Sequence, residues 1–216
     1  MVFISTPETL AVESIMWPLL MLLNEPTVWW VFYFLYSFMN DNNYVFALDV
    51  DGVLTDGKFL WDAEGNKTYK EFGPDDADAL KILSRYMPVI FFSKDKKGFP
   101  ISKSRVEHMG FPIYYMNTEE REIYLRGTYG LDNVIYMGDS FVDVPLLRRA
   151  KKGIATKTSS PYAKEAADYI TQTGGGERAV ADAVFWIMRN VLDMAYFTIY
   201  ELNTDRFNLN EYRIQL

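Results

Sequence analysis

Three short apolar runs, at residues 44–50, 89–92 and 134–137, each finish in polar side chains. The first leads into Asp49-Val50-Asp51-Gly52, the second into Ser93, and the third into Gly138-Asp139-Ser140-Phe141-Val142-Asp143. Between and after them the spacing turns helical. Ala79, Ile82, Leu83 and Tyr86 recur at i, i+3, i+4 and i+7, and Val180, Val184, Ile187 and Val191 mark an amphipathic helix near the end. Strands alternating with helices imply βαβ units and a mainly parallel sheet. Ligands of such sheets bind beyond the C-terminal strand ends. If the three strands are neighbours, Asp49, Asp51, Ser93, Asp139 and Asp143 converge on one rim.

The rest of the pattern from residue 44 onward agrees with an α/β chain. Segments 58–61 and 68–72 flank Ala63-Glu64-Gly65-Asn66, which reads as a hairpin with a glycine-containing turn. Helices are expected at 101–109 and 119–129, and short strands at 113–116, 154–155 and 169–171. We divide the chain into a hydrophobic helical extension at 1–43, an α/β core at 44–192 and a tail at 193–216. In the extension, Ser5-Thr6-Pro7-Glu8 reads as a capping box ahead of an apolar run at 10–23, which Pro18 should kink. A second, aromatic run spans 28–39. Between Glu25 and Asp41 lie fifteen uncharged residues, whereas a spanning helix needs roughly 20. The extension is therefore expected to pack or oligomerise rather than cross a membrane. With no basic n-region to mark a signal peptide, cytoplasm is the default location.

Composition narrows the chemistry. There is no cysteine, and His108 is the one histidine, which excludes thiol catalysis, thiolate metal sites and a His-based triad. His108, beside Met109, is read as structural or exposed. The net charge of −7 argues against a nucleic-acid surface, which would carry a basic face. It leaves phosphate-bearing small molecules open, because a bound divalent cation reverses the local sign of a site. Crowded carboxylates without His or Cys favour Mg²⁺, which takes one or two carboxylates and a substrate phosphate. A carboxylate can attack phosphorus, and a second one two residues along can serve as acid and then base. Gly52 would let the loop turn close against a phosphate.

The set Asp49-Val50-Asp51-Gly52-Val53-Leu54-Thr55, Ser93 and Gly138-Asp139-Ser140-Phe141-Val142-Asp143 resembles the haloacid dehalogenase superfamily of phosphohydrolases. Residues 51–72 narrow this to the 3-deoxy-D-manno-octulosonate 8-phosphate phosphatase group. The resemblance implies a Rossmann-like core, a parallel sheet flanked by helices, with a small β-hairpin after the first strand and no large cap. It implies Asp49 as nucleophile and Mg²⁺ ligand, Asp51 as general acid/base and a ligand through its backbone carbonyl, and Ser93 as a phosphoryl-binding hydroxyl. Asp139 becomes the outer metal ligand and Asp143 its support. A small phosphate ester is the implied substrate, and a homo-oligomer, a tetramer in which the hairpin takes part, the implied assembly.

Two positions depart from the group. Where the family has a lysine against the phosphoryl-aspartate, the best-aligned residue is Arg121, with Lys96 and Lys103 as fallbacks. After Ser93 the chain reads Lys94-Asp95-Lys96-Lys97-Gly98 rather than Gly-Arg. Lys94, Lys96 and Arg178, the last beside Gly174-Gly175-Gly176, are the expected substrate contacts together with Gly52. The competing expectation is a catalytically weak scaffold docking through the aromatic extension. A scaffold, however, has no use for the complete acidic set.

Overall fold

The computed structural model describes residues 43–194. The extension's capping box and apolar runs and the tail beyond residue 194 lie outside the described residues. Six parallel strands form one sheet in the order β5-β4-β1-β6-β7-β8. They are β1 (Val45–Asp49), β4 (Val89–Ser93), β5 (Ile113–Tyr115), β6 (Val134–Gly138), β7 (Lys152–Ala155) and β8 (Tyr169–Ile170). The hairpin pairs β2 (Leu60–Trp61) antiparallel with β3 (Lys67–Tyr69). Six helices fill the connections: α1 (Asp76–Leu83), α2 (Phe99–His108), α3 (Thr118–Thr128), α4 (Val144–Arg149), α5 (Pro161–Ala166) and α6 (Ala179–Asn190). Among the described residues there is no large cap, and no helix is long and apolar enough to cross a membrane.

The pleat of β1 explains the layering. Phe46, Leu48 and Val50 face one side, packed with Leu80 and Leu83 of α1, Val106 of α2, and Val180, Val184 and Ile187 of α6. Val45 and Ala47 face the other side, with Leu125 of α3, Leu146 and Leu147 of α4, and Ala163 of α5. Successive residues point to opposite faces of a strand, so both sides of β1 must be apolar. Each large side chain buried in this way contributes about 1.5–3 kcal/mol. The helix α3 starts where its sequence says it should: Asn117 accepts from the Glu120 amide (3.0 Å) and the Glu120 carboxylate accepts from the Asn117 amide (2.8 Å).

Three details differ from the expectation. The helix read through Tyr86 ends at Leu83, because the chain turns at Ser84 and the amides of Arg85 and Tyr86 bond back to Ile82 and Leu83. The helices α4 and α5, six residues each, were not anticipated, since they are too short to establish a period. The hairpin strands are also shorter than expected, and Phe72 instead bridges to Thr55.

Candidate active site

Register brings the three polar strand ends to one level. Asp49 pairs with Phe92, one residue before Ser93, and Leu48 pairs with Met137, one residue before Gly138. Asp49, Ser93 and Asp139 therefore lie at the carboxyl edge of three adjacent strands. Past β1 the chain turns through Gly52 at φ 83°, a conformation that glycine adopts without cost. A Cβ there would lie 2.1 Å from Asp139 Oδ2, so the missing side chain also makes room for that carboxylate. Thr55 Oγ1 accepts from the amides of Gly52 and Gly57 (both 3.3 Å) and fixes the turn.

Arg121 lies at the centre. It is 1% exposed, and its Nη2 is 2.7 Å from Asp49 Oδ1. Its Nη1 donates to Tyr136 Oη (2.9 Å) and lies 3.5 Å from Asp143 Oδ1, while Nε donates to the Met116 carbonyl (3.2 Å). Tyr136 in turn donates to Asp143 Oδ1 (2.7 Å), and Asp143 Oδ2 accepts from the Ser140 amide (3.0 Å). Four side chains, Arg121, Asp49, Tyr136 and Asp143, thus share one buried network with two backbone groups, and the guanidinium supplies its positive charge. Burial raises the Asp49 carboxyl, Arg121 offsets part of the rise, and Asp143, Asp51 and Asp139 add to it. Asp139 is pushed up to about 7 by burial and then by Asp143. Burial followed by Asp143 raises the Tyr136 phenol well above its usual value, so it remains a donor.

On the opposite side of the site, Asp51 Oδ1 is 2.6 Å from Lys70 Nζ, and Asp51 Oδ2 accepts from Ser93 Oγ (3.3 Å). Lys70 and Asp95 were not singled out from sequence. The usable signal was alternation after the hairpin: Tyr69 and Glu71 are exposed while Lys70 is buried, a lysine at an inward position. Tyr136 was missed as well, although a tyrosine in a buried strand needs a partner for its hydroxyl. So was Thr156, whose Oγ1 donates to the Gly52 carbonyl (3.3 Å).

The other expected contacts are arranged differently. Lys94 and Lys96 are exposed on the loop after β4. Lys103 pairs with Glu107 along α2 (3.7 Å), which leaves Arg121 as the cation on Asp49. Arg178 is exposed and paired with Asp75. His108 is exposed at the end of α2. Gly174-Gly175-Gly176 packs under the turn after β1 instead of projecting from it, since a Cβ on Gly175 would lie 2.1 Å from the Gly52 carbonyl oxygen.

Among the described residues no three His, Cys, Asp or Glu side chains form a metal-holding group. The donors that the resemblance would assign to a cation are two carboxylates, Asp49 and Asp139, and the Asp51 carbonyl. This oxygen-only set fits Mg²⁺, which keeps waters and substrate oxygens in its remaining positions. The buried crowding that raises both carboxylates is also what a cation would relieve.

Comparison with known proteins agrees with this geometry. The haloacid dehalogenase-like hydrolase family matches residues 122–184. The chain is 28% identical over 138 residues to the 3-deoxy-D-manno-octulosonate 8-phosphate phosphatase of Haemophilus influenzae, covering 61% of this chain and 74% of that one. It is 24% identical over 148 residues to the Escherichia coli K12 enzyme of the same name, covering 66% and 77%. The solved cobalt-bound Haemophilus influenzae enzyme superposes with a TM-score of 0.61 at 28% identity, over 68% of this chain and 89% of that one. The Moraxella catarrhalis enzyme, solved with magnesium, phosphate and its sugar acid, shares the fold at a TM-score of 0.61 and 24% identity, over 76% and 97%. With its parallel sheet and its acidic strand ends, the chain is a phosphatase resembling the haloacid dehalogenase-like hydrolases and, among them, the 3-deoxy-D-manno-octulosonate 8-phosphate phosphatase group.

Proposed function

We propose that the protein hydrolyses a small phosphate monoester, an acidic sugar phosphate such as 3-deoxy-D-manno-octulosonate 8-phosphate, through a phosphoryl group carried on Asp49. The observation that carries this reading is the 2.7 Å contact between buried Arg121 and Asp49, made at the rim where Asp51, Ser93 and Asp139 meet. Asp49 attacks phosphorus, the P–O ester bond breaks, and Asp51 gives its proton to the departing oxygen. Asp51 then takes a proton from the water that attacks the aspartyl-phosphate, and inorganic phosphate leaves. Arg121 offsets the negative charge on the phosphoryl-aspartate, and Ser93 donates to a phosphoryl oxygen. Asp49, Asp139 and the Asp51 carbonyl would hold Mg²⁺, which when bound would supply charge neutralisation to the phosphate. Asp143 acts from behind, through Arg121 and the Ser140 amide. The Gly52 turn brings backbone close to the phosphate, and the exposed Lys94 and Lys96 are the loop cations nearest in sequence to Ser93 for a substrate carboxylate.

The test is phosphate release from a panel of sugar phosphates and p-nitrophenyl phosphate, with Mg²⁺ and with EDTA, alongside Asp49→Asn. Release that needs Mg²⁺ and falls to background in folded Asp49→Asn is the expected result. Undiminished turnover in that variant would remove Asp49 from the role of nucleophile. A substrate preference for sugars without a carboxylate would remove the acidic-sugar assignment.

A further inference from the structure

Lys70 is 4% exposed and belongs to none of the strand-end motifs. Its ammonium donates to Ser102 Oγ at 2.9 Å and is ion-paired with two carboxylates, Asp51 Oδ1 at 2.6 Å and Asp95 Oδ2 at 2.9 Å. Asp95 is held in turn by Lys67 (2.7 Å), and its amide donates to Ser93 Oγ (3.2 Å). The approach is built into the backbone. A Cβ on Gly98 would lie 2.1 Å from Asp95 Oδ2 and 2.4 Å from Lys70 Cε, so the lysine and the aspartate meet across a glycine. A buried ammonium is costly unless every hydrogen finds an acceptor. This one is paired with two carboxylates and a hydroxyl, and one of those carboxylates is the group assigned above as acid and base.

We propose that Lys70, braced by Asp95, is a positioning residue for Asp51: it grips Oδ1 and leaves Oδ2, beside Ser93, aimed at the ester oxygen. The proposal rests on the reading of Asp51 as general acid. Without Lys70 the carboxylate is free to turn about its side-chain torsions, and proton delivery to the leaving oxygen loses its geometry. Binding of the phosphate and attack by Asp49 do not depend on this contact.

Leaving-group dependence separates a positioning role from a structural one. A sugar alkoxide needs a proton as it departs, whereas p-nitrophenolate leaves without one. The quantity to measure is kcat/KM, which covers the steps up to leaving-group departure and excludes hydrolysis of the aspartyl-phosphate. It is compared for p-nitrophenyl phosphate and for the sugar phosphate that the unaltered protein hydrolyses fastest. Asp51→Asn should lose about 10²-fold or more on the sugar phosphate and far less on the aryl ester. Lys70→Met should show the same inequality, with a sugar-to-aryl ratio at least about tenfold below that of the unaltered protein. Asp95→Asn, close to isosteric, should move the ratio in the same direction by a smaller factor, and it carries the test if Lys70→Met does not fold. Equal losses on both substrates in Lys70→Met and Asp95→Asn, while Asp51→Asn discriminates, would overturn the positioning role alone. Equal losses in Asp51→Asn would overturn the acid assignment and this proposal with it.

Discussion

Replacing Arg121 by methionine should cost stability and turnover together, and the size of the first can be worked out from its contacts. The substitution keeps an unbranched chain but removes the cation that lies against both Asp49, at 2.7 Å, and Asp143, at 3.5 Å. Breaking a buried pair by deleting one partner costs about 3–5 kcal/mol, because the remaining charge has no compensation. Asp49 already sits above the usual carboxylate range through burial and can relieve part of that cost by taking a proton. A loss of about 3 kcal/mol is therefore expected, or about 6–12 °C in Tm for a chain of this size. The pH dependence has a definite sign. Arg121 lowers the Asp49 carboxyl, so its removal raises that group further above its unfolded value. The deficit is then largest at alkaline pH and shrinks as pH falls and Asp49 protonates. The Asp49 carboxyl lies at about 8 with Arg121 in place, so urea unfolding of the full chain in EDTA at pH 9.5 and pH 6 brackets the change and measures this. Adding Asp49→Asn should recover part of the loss, giving a coupling of at least about 1 kcal/mol in the double-mutant cycle. A Tm within about 2 °C of the unaltered protein, or additive effects of the two substitutions, would refute the claim that Arg121 neutralises Asp49.

Two further outcomes follow from groups away from the reacting atoms. Asp76 is 1% exposed, accepts from the Ala181 amide (2.8 Å) and is raised by burial to about 6, with its Oδ2 unbonded. Its charged form therefore weakens the fold above that value and not below the unfolded value of 3.8. Asp76→Asn should gain about 1–2 kcal/mol at pH 7.5, after the cost of an unpaired amide, and almost nothing at pH 4; equal effects at both pH values in chemical denaturation would contradict this. Gly175→Ala would place a Cβ 2.1 Å from the Gly52 carbonyl oxygen and 2.5 Å from that of Thr55. It should destabilise by about 1–3 kcal/mol and reduce kcat by displacing the turn that follows Asp49; unchanged kcat in that variant would show that the turn does not depend on this contact.

Much of the site was legible because it is written locally. Asp49, Ser93 and Asp139 each end or follow a run of buried residues, and strand order then needs only the right-handed crossovers that parallel sheets favour. Arg121 was readable only by resemblance, since nothing in Asn117-Thr118-Glu119-Glu120-Arg121 distinguishes it from a solvated helix face. The contacts of Lys70 span 19 residues to Asp51 and 32 to Ser102, and no local period encodes them. Arg178 was misleading for the opposite reason. Its glycine-rich neighbourhood suggested a substrate loop, whereas Gly175 and Gly176 pack against the backbone between Gly52 and Asp56 and Gly174 against Thr158.

The guanidinium beside Asp49 also fixes how the site responds to alkaline conditions. An amine in that place would lose its proton as the solution became basic, and the compensation of the Asp49 carboxylate would fade with it. Arginine does not deprotonate in proteins, and Tyr136, Asp49 and Asp143 outweigh the effect of burial and hold Arg121 higher still. Any fall in turnover at high pH must then originate in some other group, and the cation beside Asp49 behaves as a fixed charge across the whole working range.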